Sequence, residues 1–133
     1  MAGETSLDTL LRSMSPHLND GEYVFCTIRD GRLPQGCEII GSFREQEGLT
    51  LILERSEAEK AGFSFDYRAA WITLKVHSAL SAVGLTAAFA SALGKAGISC
   101  NVIAGYYHDH LFVGLADAER AMSVLRQLAA DAE

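Results

Sequence analysis

An α+β fold made of two small units is what this sequence predicts, and three observations carry that expectation. Apolar residues recur with a period near 3.6 in some segments and with a period of two in others, and the two kinds of segment alternate along the chain. Hydrophobic residues make up 49% and charged residues 21% of the 133, which is enough apolar surface for a packed core and too little charge for disorder. The charge is also unevenly placed: residues 1–68 carry seven basic and twelve acidic side chains, residues 69–133 four and five. That contrast divides the chain into an acidic first unit and a nearly neutral, more apolar second one.

Each element follows in turn. Leu7, Leu10, Leu11 and Met14 recur at helical spacing after Thr5 and Ser6, either of which can cap, and Pro16 stops the pattern. Glu22 to Arg29 reads as a strand between Asp20-Gly21 and Asp30-Gly31 turns, with Val24, Cys26 and Ile28 on one face and Tyr23 and Phe25 on the other. A loop holding Pro34 and Gly36 leads to Glu38–Glu45, which Gln46-Glu47-Gly48 joins to Leu49–Glu54 as a hairpin. Ser56 and Glu59 have the spacing of a capping box at the start of a short helix, and Gly62 stands where a left-handed C-cap is wanted.

The second half is more regular. Ala69–Val76 alternates, with Ile72, Leu74 and Val76 on one face and Trp71, Thr73 and Lys75 on the other. Leu85, Phe89, Ala92, Leu93 and Ala96 mark a helix within Leu80–Ala96 that Gly97 ends. Ile98–Tyr106 and His110–Leu115 read as two strands of a compact hairpin, and Asp117 opens a last helix on the stripe Ala118, Ala121, Met122, Leu125, Leu128 and Ala129. From Ala69 onward the order is β-α-β-β-α, the split βαβ or ferredoxin-like unit short of its last strand. Residues 5–62 read α-β-β-β-α, a degenerate copy whose first strand is missing. The expectation is two interlocked ferredoxin-like units, 1–68 and 69–133, with antiparallel sheets and helices on one face. The units share a strand across their boundary or borrow one from a neighbouring chain, and an open sheet edge favours a homodimer.

A net charge of −6 removes the electrostatic attraction on which non-specific nucleic-acid and anionic-membrane binding depend, so neither is an expected partner. No apolar run approaches the roughly 20 residues of a membrane-spanning helix. Cys26, Cys37 and Cys100 are scattered and form no Cys-x-x-Cys pair, and Met1 to Ser15 lacks the basic and apolar regions of a secretory signal. The expected location is the cytoplasm.

Chemistry is sparse. His108 and His110 share one side of an extended strand, and His77 can reach them across a sheet, so a metal-dependent enzyme is one alternative. The other is structural, with His108 and Asp109 taking the positive φ of a tight turn. No Gly-x-Ser-x-Gly elbow, Gly-x-Gly-x-x-Gly fingerprint or Gly-x-x-x-x-Gly-Lys loop occurs, so no nucleophile and no nucleotide cofactor is expected. The segment from His77 to Thr86 is rich in small residues ahead of a helix, and Gly84 permits close backbone approach. Either the helix N–H groups there receive a carboxylate, or Ser78 or Ser81 caps the helix and Gly84 packs on the sheet.

The run from His77 to Phe89, then Gly97-Ile98-Ser99-Cys100-Asn101-Val102, then Tyr106 to Val113, resembles the ACT-domain family, in particular small stand-alone bacterial proteins with two ACT-like halves. Phe43 to Leu51 resembles the first half of that group. The resemblance implies a non-catalytic regulatory module that binds an amino acid or other small ligand, or alternatively a protein-interaction module with no ligand. It places the ligand at His77, Ser78, Val83, Gly84, Leu85 and Thr86 of the strand-to-helix loop and at Asn101 and Ile103 of the next strand. Backbone N–H groups of Gly84, Leu85 and Thr86 would meet a carboxylate, and the Asn101 amide an ammonium or other polar end. It implies no catalytic residue, metal or cofactor.

Overall fold

A computed structural model describes residues 6–76 and 81–132. In chain order the elements are α1 (Leu7–Ser13), β1 (Ser15–Leu18), β2 (Tyr23–Ile28), β3 (Gly41–Arg44), β4 (Leu49–Glu54), α2 (Arg55–Ala61) and β5 (Arg68–Lys75). There follow α3 (Leu85–Lys95), β6 (Cys100–Ala104), β7 (Asp109–Gly114), a 3-10 turn (Leu115–Asp117) and α4 (Ala118–Asp131). Packing divides the chain into two compact units, Gly21–Ala69 on the one hand and, on the other, the residues up to Asp20 together with those from Ala70 onward. The dividing point falls inside β5.

In the Gly21–Ala69 unit the strand order is β3-β4-β2, with the first two residues of β5 on the far side of β2. The register sets Val24 against Leu53, Cys26 against Leu51 and Ile28 against Leu49, so the period of two in both strands delivers one apolar face. Ala58 of α2 packs onto that face, with Phe63 and Phe65 at its margin. Gly62 ends α2 in the left-handed conformation at φ 76°, and Phe63 N–H returns to Ala58 O at 2.9 Å, as the sequence predicts. The predicted capping box does not form. Helix α2 begins two residues earlier, behind Glu54, and the Ser56 hydroxyl donates to Glu54 Oε1 at 2.8 Å instead. What this unit lacks relative to a split βαβ is a helix and not a first strand: β2 holds the first position, and residues 29–40 run to β3 through turns.

The other unit has the order β1-β5-β7-β6. Its last strand is β1, read in the sequence as the stop of a helix. Pro16 is tolerated there because β1 pairs with β5 alone, Ser15↔Lys75 to Leu18↔Ile72, and needs no N–H on its outer edge. The chain thus completes this unit with its own N-terminal segment. Ala70, Ile72 and Leu74 of β5, Val76 just after it, and Leu111 and Val113 of β7 turn one face toward α1, α3 and α4, which bury Leu10, Phe89, Leu93, Ala121 and Leu125 against it. Gly97, at φ 75°, ends α3 as predicted. Asp117 stands at the N-cap of α4, but its carboxylate accepts from Arg120 Nη2 at 3.0 Å and caps no backbone N–H.

Candidate functional site

Of the predicted ligand residues, His77 and Ser78 lie outside the described residues. Val83 is 82% exposed, and Gly84 is the N-cap of α3 with φ 102°. A Cβ at Gly84 would also stand 3.1 Å from Leu7 Cδ2, so both backbone conformation and close approach call for glycine. Leu85 is buried in the core, which leaves only its backbone to a ligand, and Thr86 is exposed in the first turn of α3. Among the described residues no side chain caps this helix start. Asn101 and Ile103 sit on the edge strand β6, opposite Phe112 and His110 respectively, on the face turned away from the helices. The Asn101 amide donates to Phe112 O at 3.4 Å. The structure therefore brings Val83, Gly84, Leu85 and Thr86 together, and Asn101 with Ile103, as two separate groups on different elements.

The same sheet face carries a polar cluster that spacing alone does not reveal. The Trp71 indole N–H donates to His110 Nδ1 at 3.1 Å, and Thr73 Oγ1 lies 3.1 Å from the same nitrogen. An indole N–H can only donate, so Nδ1 is the acceptor and neutral His110 carries its proton on Nε2. Asn19, just beyond β1, donates to Thr73 Oγ1 at 3.0 Å and to Trp71 O at 3.1 Å, so the Thr73 proton is free to point at His110. Trp71 stacks on Phe112 with ring centroids 6.1 Å apart. Burial holds the His110 imidazole below its ordinary 6.5, with nearby His108 adding to the effect and Asp109 opposing it. Asp109 is 7% exposed, and its burial raises the carboxyl above 3.8 against the pull of His110 and His108. Desolvation is the larger cause of both shifts, and it favours the neutral forms.

The expectation that His108 and Asp109 take positive φ does not hold: among the described residues only glycines do, and Asp109 is the first residue of β7. The β6–β7 connection closes instead through Gly105 N–H to His108 O at 2.9 Å. A Cβ on Gly105 would meet that oxygen at 2.8 Å and the His110 ring at 3.3 Å. Gly105→Ala should therefore destabilise the protein by about 1–3 kcal/mol, read from its urea midpoint, because the obstacle is backbone and cannot swing aside. Among the described residues no group of three His, Cys, Asp or Glu side chains is placed to hold a metal ion. Cys26 and Cys100 are free, and burial pushes both thiols up, away from the nucleophilic thiolate.

Two ferredoxin-like units, helices packed on one face of each sheet, define a tandem α+β protein. Comparison makes this specific: an ACT domain profile matches residues 2–70 and a second matches residues 67–127, and the chain belongs to the ACT-domain family. It is similar to a Vibrio cholerae protein of unknown function described as a possible transport protein, at 53% identity over 94% of this chain and 97% of that one, with a TM-score of 0.84. It shares its fold with an Agrobacterium tumefaciens protein at 17% identity, covering 87% of this chain and 89% of that one, with a TM-score of 0.73. It also shares it with the regulatory subunit of aspartate kinase from Thermus flavus, at 11% identity over 85% and 95%, with a TM-score of 0.67. No curated protein matches the chain. ACT domains are regulatory modules that bind small molecules, typically amino acids.

Proposed function

We propose that this protein is a non-catalytic regulatory module of the cytoplasm that binds an amino acid, with 1–68 and 69–133 as its two family repeats. The observation that carries the reading is the start of α3. A glycine N-cap supplies no side chain to the helix N–H groups of Leu85 and Thr86, and the helix dipole adds positive potential there, so a carboxylate suits that position. The family resemblance adds His77, Ser78 and Val83 to the ligand set. Asn101 and Ile103 offer an amide and an apolar surface on β6, and a second copy of the chain brings such a surface to the loop of its partner. Edge strands β3 and β6, with Phe43 and Ile103 exposed, are consistent with a homodimer.

Isothermal titration of the full chain with the twenty amino acids tests this. Binding of one or a few is expected, and Asn101→Ala, at an exposed position, should weaken it about fivefold through loss of one hydrogen bond. A folded protein silent across the panel overturns the reading. Light scattering that finds only monomer at all concentrations removes the shared site.

A further inference from the structure

We propose that a groove in the Gly21–Ala69 unit binds a small organic cation, an ammonium or guanidinium group on a short apolar body. The groove holds about 570 Å³, within the range of small-molecule sites, and lies between β2, the β3–β4 hairpin and Ser64–Asp66. It does not include the α3 loop, Asn101 or Ile103, and it stands whether or not an amino acid binds there.

The fold builds the groove from three sides. Strand β5 pairs with β2 at Tyr23↔Ala69 and Val24↔Arg68, and the chain leading into it flanks the remainder of β2. On the other side Gly48 lets the hairpin turn close on the end of β2: a Cβ there would stand 2.9 Å from both Ile28 O and Thr27 Oγ1. Phe25 and Phe65 both line the groove, and Phe65 packs against the core of the unit. Glu45 and Asp66 supply two carboxylates, one from the hairpin and one from the segment before β5.

Charge decides the ligand. The basic residues around this unit's helix are already engaged: Arg55 with Glu22 at 2.7 Å, Arg68 with Glu22 at 3.8 Å, and Lys60 with Glu57 at 3.4 Å. Among the described residues no Lys, Arg or His forms an ion pair with Glu45 or Asp66. The Thr50 hydroxyl donates to Glu45 Oε1 and orients that carboxylate. Two carboxylates without a cation repel an anion, and the carboxylate of a zwitterionic amino acid finds no basic partner in the groove. A metal ion gains nothing from the apolar part of this lining, and no three-ligand group is placed for one among the described residues. A cationic head beside the carboxylates, with its methylenes along the apolar side chains, suits the lining as a whole.

Titration of the full chain with agmatine, which carries a guanidinium and an ammonium on a butyl chain, followed by NMR shifts and calorimetry, is the test. Saturable binding with shifts at Phe25 and Phe65 is expected, weakening as salt is raised, while n-butanol at equal concentration gives none. Glu45→Gln and Asp66→Asn should each weaken agmatine about twofold to fivefold, as befits exposed charges, and together more than either. Circular dichroism and an unchanged urea midpoint establish that the variants fold. Asn101→Ala should leave agmatine unaffected, which separates this site from the amino-acid site. Absence of saturable binding to the folded protein, or affinity unchanged in the double variant, overturns the proposal.

Discussion

Phe89→Ala should cost about 3–5 kcal/mol of stability, the range for truncating a large aromatic in a core that cannot collapse around the void. Phe89 is wholly buried on α3 and belongs to the cluster that joins Ile72 and Leu74 of β5, Leu111 of β7 and Leu125 of α4. A domain of this size has about 5–15 kcal/mol in total, so this substitution removes about a fifth or more of it. Urea unfolding followed by the fluorescence of Trp71, the single tryptophan and a residue of the same compact unit, reads the effect. Thr86→Ala, exposed one turn earlier on the same helix, is the control and should change stability by no more than about 0.5 kcal/mol. A loss below about 1 kcal/mol for Phe89→Ala would mean that α3 does not pack as described.

The contrast between those two residues shows why most of the fold was legible. Phe89, Leu93 and Leu85 repeat at helical spacing because one stripe of α3 meets a sheet, and Ile72, Leu74 and Val76 alternate because one face of β5 meets those helices. Wherever burial is one-sided, periodicity reports it. Strand β1 escaped because four residues, Ser-Pro-His-Leu, are too few for a pattern, and proline reads as a breaker unless the outer edge of the strand is known to be unpaired. The cost of missing it was topological: without β1 the second half seemed to need a strand from elsewhere.

The candidate sites were legible to different degrees for a related reason. Gly84 was visible because glycine ahead of a helical stripe has few explanations, and the structure gives two, a left-handed backbone and contact with Leu7. The carboxylates of the groove, Glu45 and Asp66, are twenty-one positions apart and carry no spacing signal, and only the register of β2 with β4 and β5 brings them to one cleft. The Asn19, Trp71, Thr73 and His110 cluster spans 91 positions in sequence, and two of its members sat in the alternation of β5 as ordinary polar-face residues. Side chains that meet across strands leave no mark on either strand alone.

That cluster carries the second large effect. His110→Leu should destabilise the protein by about 1–3 kcal/mol, since it removes the Nδ1 acceptor that the Trp71 indole N–H and the largely buried Thr73 hydroxyl share while the shape is roughly kept. The same geometry makes stability depend on pH. A proton on Nδ1 would displace the Trp71 bond, and the folded-state value of His110 lies below its ordinary 6.5. The unfolded chain therefore takes up the proton first, and stability falls as pH drops from 6.5 toward the folded value, then levels. Asp109 acts in the opposite sense: its raised carboxyl makes folding more favourable as pH falls through the folded value toward 3.8. Asp109→Asn removes that counter-effect, which acts as pH falls toward 3.8. Other charges near this face, His17 opposite Thr73 and Lys75 two residues along β5, are exposed. Urea midpoints measured from pH 8 to pH 5, together with Trp71 fluorescence, should show the decline in the native protein and a flat profile in His110→Leu over the same window. An equal decline in both would place the pH dependence elsewhere than on His110.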